Sequence, residues 1–257
     1  MNLSKAIYPI LWWIIILFAD AANFRQNNKP LIFGNPKKFF GIILPVSVLY
    51  WLYFELANFY FPQWYYLGVF PSLSARTAMA FLSFGTVIPI IIEIIKLLGG
   101  PIEMENYVNR QFNFKLIHAF FFLIGIIFAA TPFFSDNFLF NQGIWLAPFL
   151  ILLPLLKLEN FSARFSLTVG ISGLISGFLW ELLNFWAGGK WKYLILPDNF
   201  RFFEMPLLGY LGFIPFAFST LAVYLAVQQF IKPRTANIII LYFTAIVGSA
   251  IFANFIV

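Results

Sequence analysis

Eight long apolar runs constrain this chain more than any other feature. They lie at about 6–21, 39–60, 77–98, 114–133, 143–157, 165–187, 206–228 and 236–255, bounded by charged residues or by Pro and Gly. A helix rises ~1.5 Å per residue, so ~20 apolar residues cross a ~30 Å hydrocarbon core, and most of the runs reach that length. Without water, the backbone of such a segment is satisfied only by bonding to itself, which makes each run a helix. The expected fold is all-α, an integral membrane bundle of about eight transmembrane helices forming a single membrane domain over residues 1–257. The first and fifth runs are the shortest, and the count falls to seven if one of them does not cross. The first run is too long, and too poor in small residues after it, for a cleaved signal peptide, so it is expected to remain.

Composition then removes whole classes of function. Only 10% of the residues are charged and 61% are hydrophobic, whereas a soluble domain carries about 25% charge. Thirty-six Phe and eight Trp exclude a disordered chain and a nucleic-acid binder, despite the net charge of +6. The absence of Cys removes disulfides, thiolate metal sites and thiol nucleophiles, and the single His118 removes any multi-His metal site within the chain. No cofactor is expected.

The excess positive charge reads as topology, since cytoplasmic loops collect Lys and Arg. Taking the loops alternately, one side holds Arg25, Lys29, Lys37, Lys38, Lys96, Arg110, Lys115, Lys157, Arg164, Lys232 and Arg234. The other holds Lys5, Arg76, Lys190, Lys192 and Arg201, a split of eleven against five. With eight spans, this puts both termini outside a bacterial inner (cell) membrane. Trp12, Trp13, Trp64, Tyr65, Tyr66, Trp186 and Trp191 fall near expected helix ends, as an interfacial aromatic belt would.

The chain also repeats itself. Glu55-Leu56-Ala57-Asn58-Phe59 returns as Glu181-Leu182-Leu183-Asn184-Phe185, 126 residues later. Downstream, Trp64-x-Tyr66 answers Trp191-x-Tyr193, Pro71 answers Pro197, and Pro89 answers Pro215. An ordered series of this kind indicates a duplicated four-helix unit, approximately 1–133 and 134–257, with the second and third runs matching the sixth and seventh. An even number of spans per unit makes the repeats parallel, related by an axis along the membrane normal. Residues at i and i+3 share a helix face, so each Glu and its Asn point the same way, toward the bundle interior.

A carboxylate inside a membrane helix costs at least ~2.5–3.5 kcal/mol unless paired, protonated or hydrated, which makes it a functional candidate. Glu55, Glu93 and Glu181 are the catalytic candidates, and Asp20 lies at an inner helix end. Glu55, Asn58, Trp64 and Tyr66, with Glu181, Asn184, Trp191 and Tyr193, form two equivalent candidate ligand-binding corners. Glu55 and Glu181 could instead cap helix–loop junctions or pair with Arg76, Lys190, Lys192 or Arg201. Glu93 could pair with Lys96, and its counterpart at the same offset is Ser219. Pro89 and Pro215 are expected to kink their helices, Gly170, Gly173, Gly177, Gly209 and Gly212 to permit close helix approach, and Glu204-Met205-Pro206 to open the seventh helix. No midspan Lys serves a retinal, and no voltage-sensor Arg series, nucleotide-binding loop or H-E-x-x-H motif is present. A site for metal is not expected.

Two resemblances follow from these residues. WELLNFWAGGKWKYLILP, FEMPLLGYLGFIPFAF and FELANFYFPQWYY look like a family of uncharacterised bacterial polytopic membrane proteins, which implies a multi-span protein and no activity. Trp180-Glu181, Trp191-x-Tyr193 and Gly209-x-x-Gly212-x-x-Pro215 are more distantly similar to the lycopene-cyclase domain, a tandem membrane module of carotenoid synthesis. That family's paired acids after Pro are replaced here by Phe216, Ala217 and Phe218. The reading these features favour is a polytopic membrane protein that binds an apolar ligand (a carotenoid, isoprenoid or lipid) between two repeat halves. A lycopene-cyclase-like enzyme, a small-solute transporter and a structural subunit of a membrane complex are the alternatives. Partners are then membrane lipid or an apolar small molecule, with a membrane-protein partner possible and no nucleic acid.

Overall fold

Among the described residues, seven helices are long and apolar enough to cross a membrane: Leu3–Arg25, Pro36–Tyr60, Leu73–Leu97, Leu116–Phe133, Ala163–Trp186, Leu207–Phe230 and Thr235–Phe255. These are spans 1, 2, 3, 4, 6, 7 and 8. The fifth apolar run, labelled span 5, is a helical pair, Phe138–Trp145 and Ala147–Leu155, bent by 53° at its break; counted as one span, it brings the number to eight. This computed structural model describes residues 3–26, 29–100, 104–109, 115–194 and 200–256; Arg110 and Pro197 of the sequence reading lie outside them. Several spans outrun their apolar runs because polar residues continue them: span 1 runs on through Asp20 and Asn23, which are fully buried and hydrogen-bonded. Ser72 and Ser162 cap spans 3 and 6, each accepting a first-turn backbone N–H.

The two prolines do not break hydrogen-bond ladders in mid-helix. Span 3 is interrupted after Phe84 and resumes at Val87, so Pro89 is the third residue of the new helix. Span 7 passes from a 3₁₀ turn, Leu207–Gly212, into α-helix at Phe213, and Pro215 is again third. First-turn N–H groups have no acceptor within the helix, so proline forfeits no bond there. The discontinuity sits one turn before each proline.

Contacts between loops define two ends of the bundle. At one, Gly188 N donates to Ser4 O (2.9 Å), Lys5 Nζ to Val69 O (3.0 Å) and Arg76 Nε to Ala253 O (2.7 Å), gathering both terminal spans with the 61–72 and 187–194 segments. At the other, Lys38 Nζ donates to Gln228 O (2.9 Å) and Lys96 Nζ to Lys29 O (2.6 Å). Span 5 connects the two: Gln142 near its start donates to Gln63 (3.2 Å), and Lys157 N just after it bonds Tyr107 O (2.9 Å).

Two short antiparallel ribbons cover the first end. Strand β1, Trp64–Leu67, pairs with β2, Lys190–Tyr193, in the register Trp64 with Tyr193, Tyr65 with Lys192, Tyr66 with Trp191 and Leu67 with Lys190. Strands β3, Arg201–Phe202, and β4, Met205–Pro206, form the second ribbon. Glu204 and Met205 thus belong to a hairpin, and Pro206 precedes a 3₁₀ turn in place of the expected direct helix start. Tyr65 and Lys192 lie at the centre of the first ladder, and exchanging its strands interchanges the Trp64–Tyr193 and Tyr66–Trp191 pairs.

Inside, rings fill the space between spans. Phe54 stacks on Trp145 (4.9 Å, 13°) and Tyr50 on Phe216 (5.7 Å, 16°). Trp12 is fully enclosed and belongs to the core and not to an interfacial belt, as does Trp64 at 6% exposure, whereas Trp186 is 74% exposed as a belt residue would be. Gly173 and Gly177 admit span 7 against span 6: a Cβ at Gly173 would stand 2.2 Å from Phe213 O, and one at Gly177 2.0 Å from the Phe213 ring. Gly212 differs from this packing expectation, since a Cβ there would meet nothing within 4 Å. Ile239, Ile240 and Phe243 of span 8 face outward, as lipid contact requires.

Candidate functional site

Each E-x-x-N sequence ends a helix at the ladder end, and each Asn ties down the loop that follows. Asn58 Oδ1 accepts from Gln63 N (2.7 Å) and Trp64 N (3.0 Å), while its Nδ2 donates to Trp64 O (3.0 Å). Asn184 does the same one strand over, accepting from Trp191 N (3.0 Å) and donating to Trp191 O (3.0 Å). An amide side chain carries both a donor and an acceptor, so it closes a backbone pair as another strand would. These asparagines therefore fix where β1 and β2 begin.

The two carboxylates sit beneath the ladder and differ in how they are satisfied. Glu55 Oε1 accepts from Trp51 Nε1 (2.7 Å) and from Tyr66 OH, and Trp64 Nε1 lies 3.3 Å from both of its oxygens. Glu181 Oε1 accepts from Tyr193 OH (2.7 Å), and Trp191 Nε1 donates to that phenol (3.0 Å). Glu181 Oε2 is buried and has no hydrogen-bond partner among the described residues. The missing donor has a local cause. Four residues before Glu55 stands Trp51; four before Glu181 stands Gly177, whose Cβ position is taken by the Phe213 ring.

Neither carboxylate pairs with the cations that the sequence offered. Arg76 donates to Ala253 O, Phe70 O and Pro71 O, while Lys190 (2.9 Å) and Lys192 (3.9 Å) approach Glu204. Arg201 donates to Glu204 O and Tyr193 O. The phenols of the ladder are strongly shifted: burial first, and then the adjacent Glu181 carboxylate, hold Tyr193 well above the usual phenol range, and burial with Glu55 does the same to Tyr66. Both are donors throughout the physiological range.

Between these corners lies a cavity of about 520 Å³, inside the ~300–1,000 Å³ range of small-molecule sites. Among the candidate residues, Trp64, Tyr66, Glu181, Trp191 and Tyr193 border it; Glu55, Asn58 and Asn184 stand behind that wall. Phe70, Phe84, Phe138, Phe213 and Phe252, with Lys5, Arg76 and Lys190, also line it; further ring faces come from Trp51, Trp145, Trp180, Phe216 and Tyr8. None of these five was singled out by the E-x-x-N and W-x-Y recurrence. Trp51 carried a usable signal, one helical turn before Glu55; Trp145, at the bend of span 5, carried none.

The chain matches no family model, no curated protein and no solved structure.

Glu93 is at the opposite end, fully buried and away from the cavity lining. It accepts from Asn23 Nδ2 and from Leu31 N (2.9 Å), and Lys96 acts on it and on Asp20 electrostatically. Asp20 in turn accepts from Ile32 N and Phe33 N, both at 2.9 Å. The group clamps the segment after span 1 onto span 3. Ser219 holds the bend of span 5 instead, donating to Trp145 O (2.7 Å) and accepting from Phe149 N (3.2 Å). Among the described residues no three His, Asp or Glu side chains converge as metal ligands would.

Proposed function

We propose that this multi-span membrane protein binds an apolar small molecule, of carotenoid, isoprenoid or lipid type, in the cavity between its two E-x-x-N corners. The observation that carries the reading is the composition of the walls: broad aromatic faces, with one carboxylate and the basic Lys5, Arg76 and Lys190 among them, at the place where two similar helix ends meet across a ladder. Aromatic walls bury large area at low entropic cost and leave orientation to a few polar groups. We read the two corners as products of a duplication over 1–133 and 134–257. The matching asparagine bonds and the strand-exchange symmetry of the β1–β2 register support that reading. The end with eleven cations faces the cytoplasm of a bacterial cell in this reading, leaving the cavity and both termini on the outer side.

The test is purification in mild detergent followed by analysis of the organic extract. One apolar species near one per chain is expected; repeated extracts without any stoichiometric species, together with no uptake of small apolar probes, would dispose of the proposal. One observation favours a second, cyclase-like reading: of the three candidate acids, only Glu181 borders the aromatic cavity, where an acid and ring faces would serve carbocation chemistry. Expression in lycopene-accumulating cells with unchanged pigment would count against it for that substrate.

A further inference from the structure

The wall of the cavity is chemically lopsided. Trp51, Trp64, Trp145, Trp180 and Trp191 all border it, which places five of the chain's eight tryptophans around one space. Indole presents the strongest aromatic face to a cation, within about 6 Å of the ring. Among these rings stands Glu181, 0% exposed, with one oxygen filled by Tyr193 and the other unfilled. The first corner shows that this vacancy is not a requirement of the fold, because there Trp51, Trp64 and Tyr66 supply donors to both oxygens of Glu55. At the second corner Gly177 stands where Trp51 stands at the first, and the Phe213 ring leaves no room for a side chain there.

A buried carboxylate without a counter-charge is costly, because its lost hydration is not replaced. Lys5, Arg76 and Lys190 also border the cavity, but each hydrogen-bonds away from Glu181: Lys5 to Val69 O, Arg76 to backbone carbonyls, Lys190 to Glu204; Lys192 also approaches Glu204, and Arg201 donates to Glu204 O and Tyr193 O. What Glu181 Oε2 lacks among the described residues is a donor, and a ligand could supply one together with apolar surface.

We propose that the ligand of this cavity is a lipophilic cation, an amine or quaternary ammonium group on an apolar body, with its charge held between Glu181 and the surrounding indoles. The inference rests on the apolar-ligand reading above and narrows it to a charge class. It also separates the corners, Glu181 contacting ligand and Glu55 holding structure.

The test compares phenyltrimethylammonium with tert-butylbenzene, which has the same shape with carbon in place of charged nitrogen. Binding is read by tryptophan fluorescence and calorimetry on the full chain in lipid nanodiscs. The cation should bind at least tenfold tighter than its neutral isostere. Glu181→Gln should abolish that preference while Glu55→Gln preserves it. Equal binding of the two probes to the unaltered protein, or binding of tert-butylbenzene alone, overturns the cation assignment and leaves the apolar-ligand reading standing. No binding of either probe overturns both. The comparison on the unaltered protein needs no variant, so misfolding of Glu181→Gln would not shelter the proposal.

Discussion

Trp51 donates its indole N–H to Glu55 one helical turn away, at 2.7 Å, and thereby completes a carboxylate shell that Glu181 lacks. Trp51→Phe keeps a ring among its aromatic neighbours but removes the donor. A buried acceptor left short of a partner costs about 1–3 kcal/mol, so thermal unfolding in detergent should move to lower temperature. Glu181→Gln should cost less than Glu55→Gln, because fewer bonds are lost at Glu181. Equal destabilisation by the two glutamine variants would contradict the assigned division between the corners.

Alkaline pH should weaken the ladder. The phenols of Tyr66 and Tyr193 are held above the usual range by burial and by their carboxylate neighbours. A group with a raised folded value contributes stability that is complete below its unfolded pKa, about 10 for Tyr, and is lost as pH climbs beyond it toward the folded value. Melting temperatures measured from pH 8 to 11.5 should therefore fall above pH ~10. The fall should be shallower in the Tyr66→Phe, Tyr193→Phe double variant.

Two glycines of the same region should respond in opposite ways to a larger side chain. Gly212 borders the cavity, has φ −64° and would meet nothing within 4 Å, so Gly212→Leu should fold normally and exclude ligand. Gly173→Leu would drive a side chain into Phe213 O and should separate spans 6 and 7. Size-exclusion profiles and probe binding distinguish the cases: a monodisperse Gly212→Leu with undiminished binding would show that the cavity is not the binding site.

At the opposite end, Glu93→Gln should be among the most damaging single changes. It leaves Lys96 buried and weakens the hold on Leu31 N, and removing one partner from a buried charged set costs about 3–5 kcal/mol. Adding Lys96→Met should recover part of the loss. Lowered melting temperature in the single variant and partial restoration in the double are the expected pattern.

The spans were legible because hydrophobicity of membrane length has one solution, and the bend in span 5 falls in a run that was already the shortest. Glu55 and Glu181 stood out for a similar reason, as carboxylates where carboxylates are expensive. Their partners were not legible. Charge attraction suggested Arg76, Lys190 and Lys192, yet these satisfy backbone carbonyls and Glu204, while neutral indole and phenol donors fill Glu55. Pro89 and Pro215 were misread because periodicity does not reveal that a helix has stopped and restarted one turn earlier. The inequality between the corners depends on what occupies the fourth position before each Glu, a difference that gains meaning only once Phe213 is placed beside Gly177.

The β1–β2 ladder joins stretches of chain that are synthesised far apart. When Trp64–Leu67 leaves the ribosome, its partner Lys190–Tyr193 is still more than a hundred codons from translation. During that interval the edge of β1 has no strand to bond, and of its partners only those on the preceding helix, Asn58 and Glu55, are already made. Closure of the ladder is consequently late, and the cavity comes into existence only after the helix Ala163–Trp186 has been made.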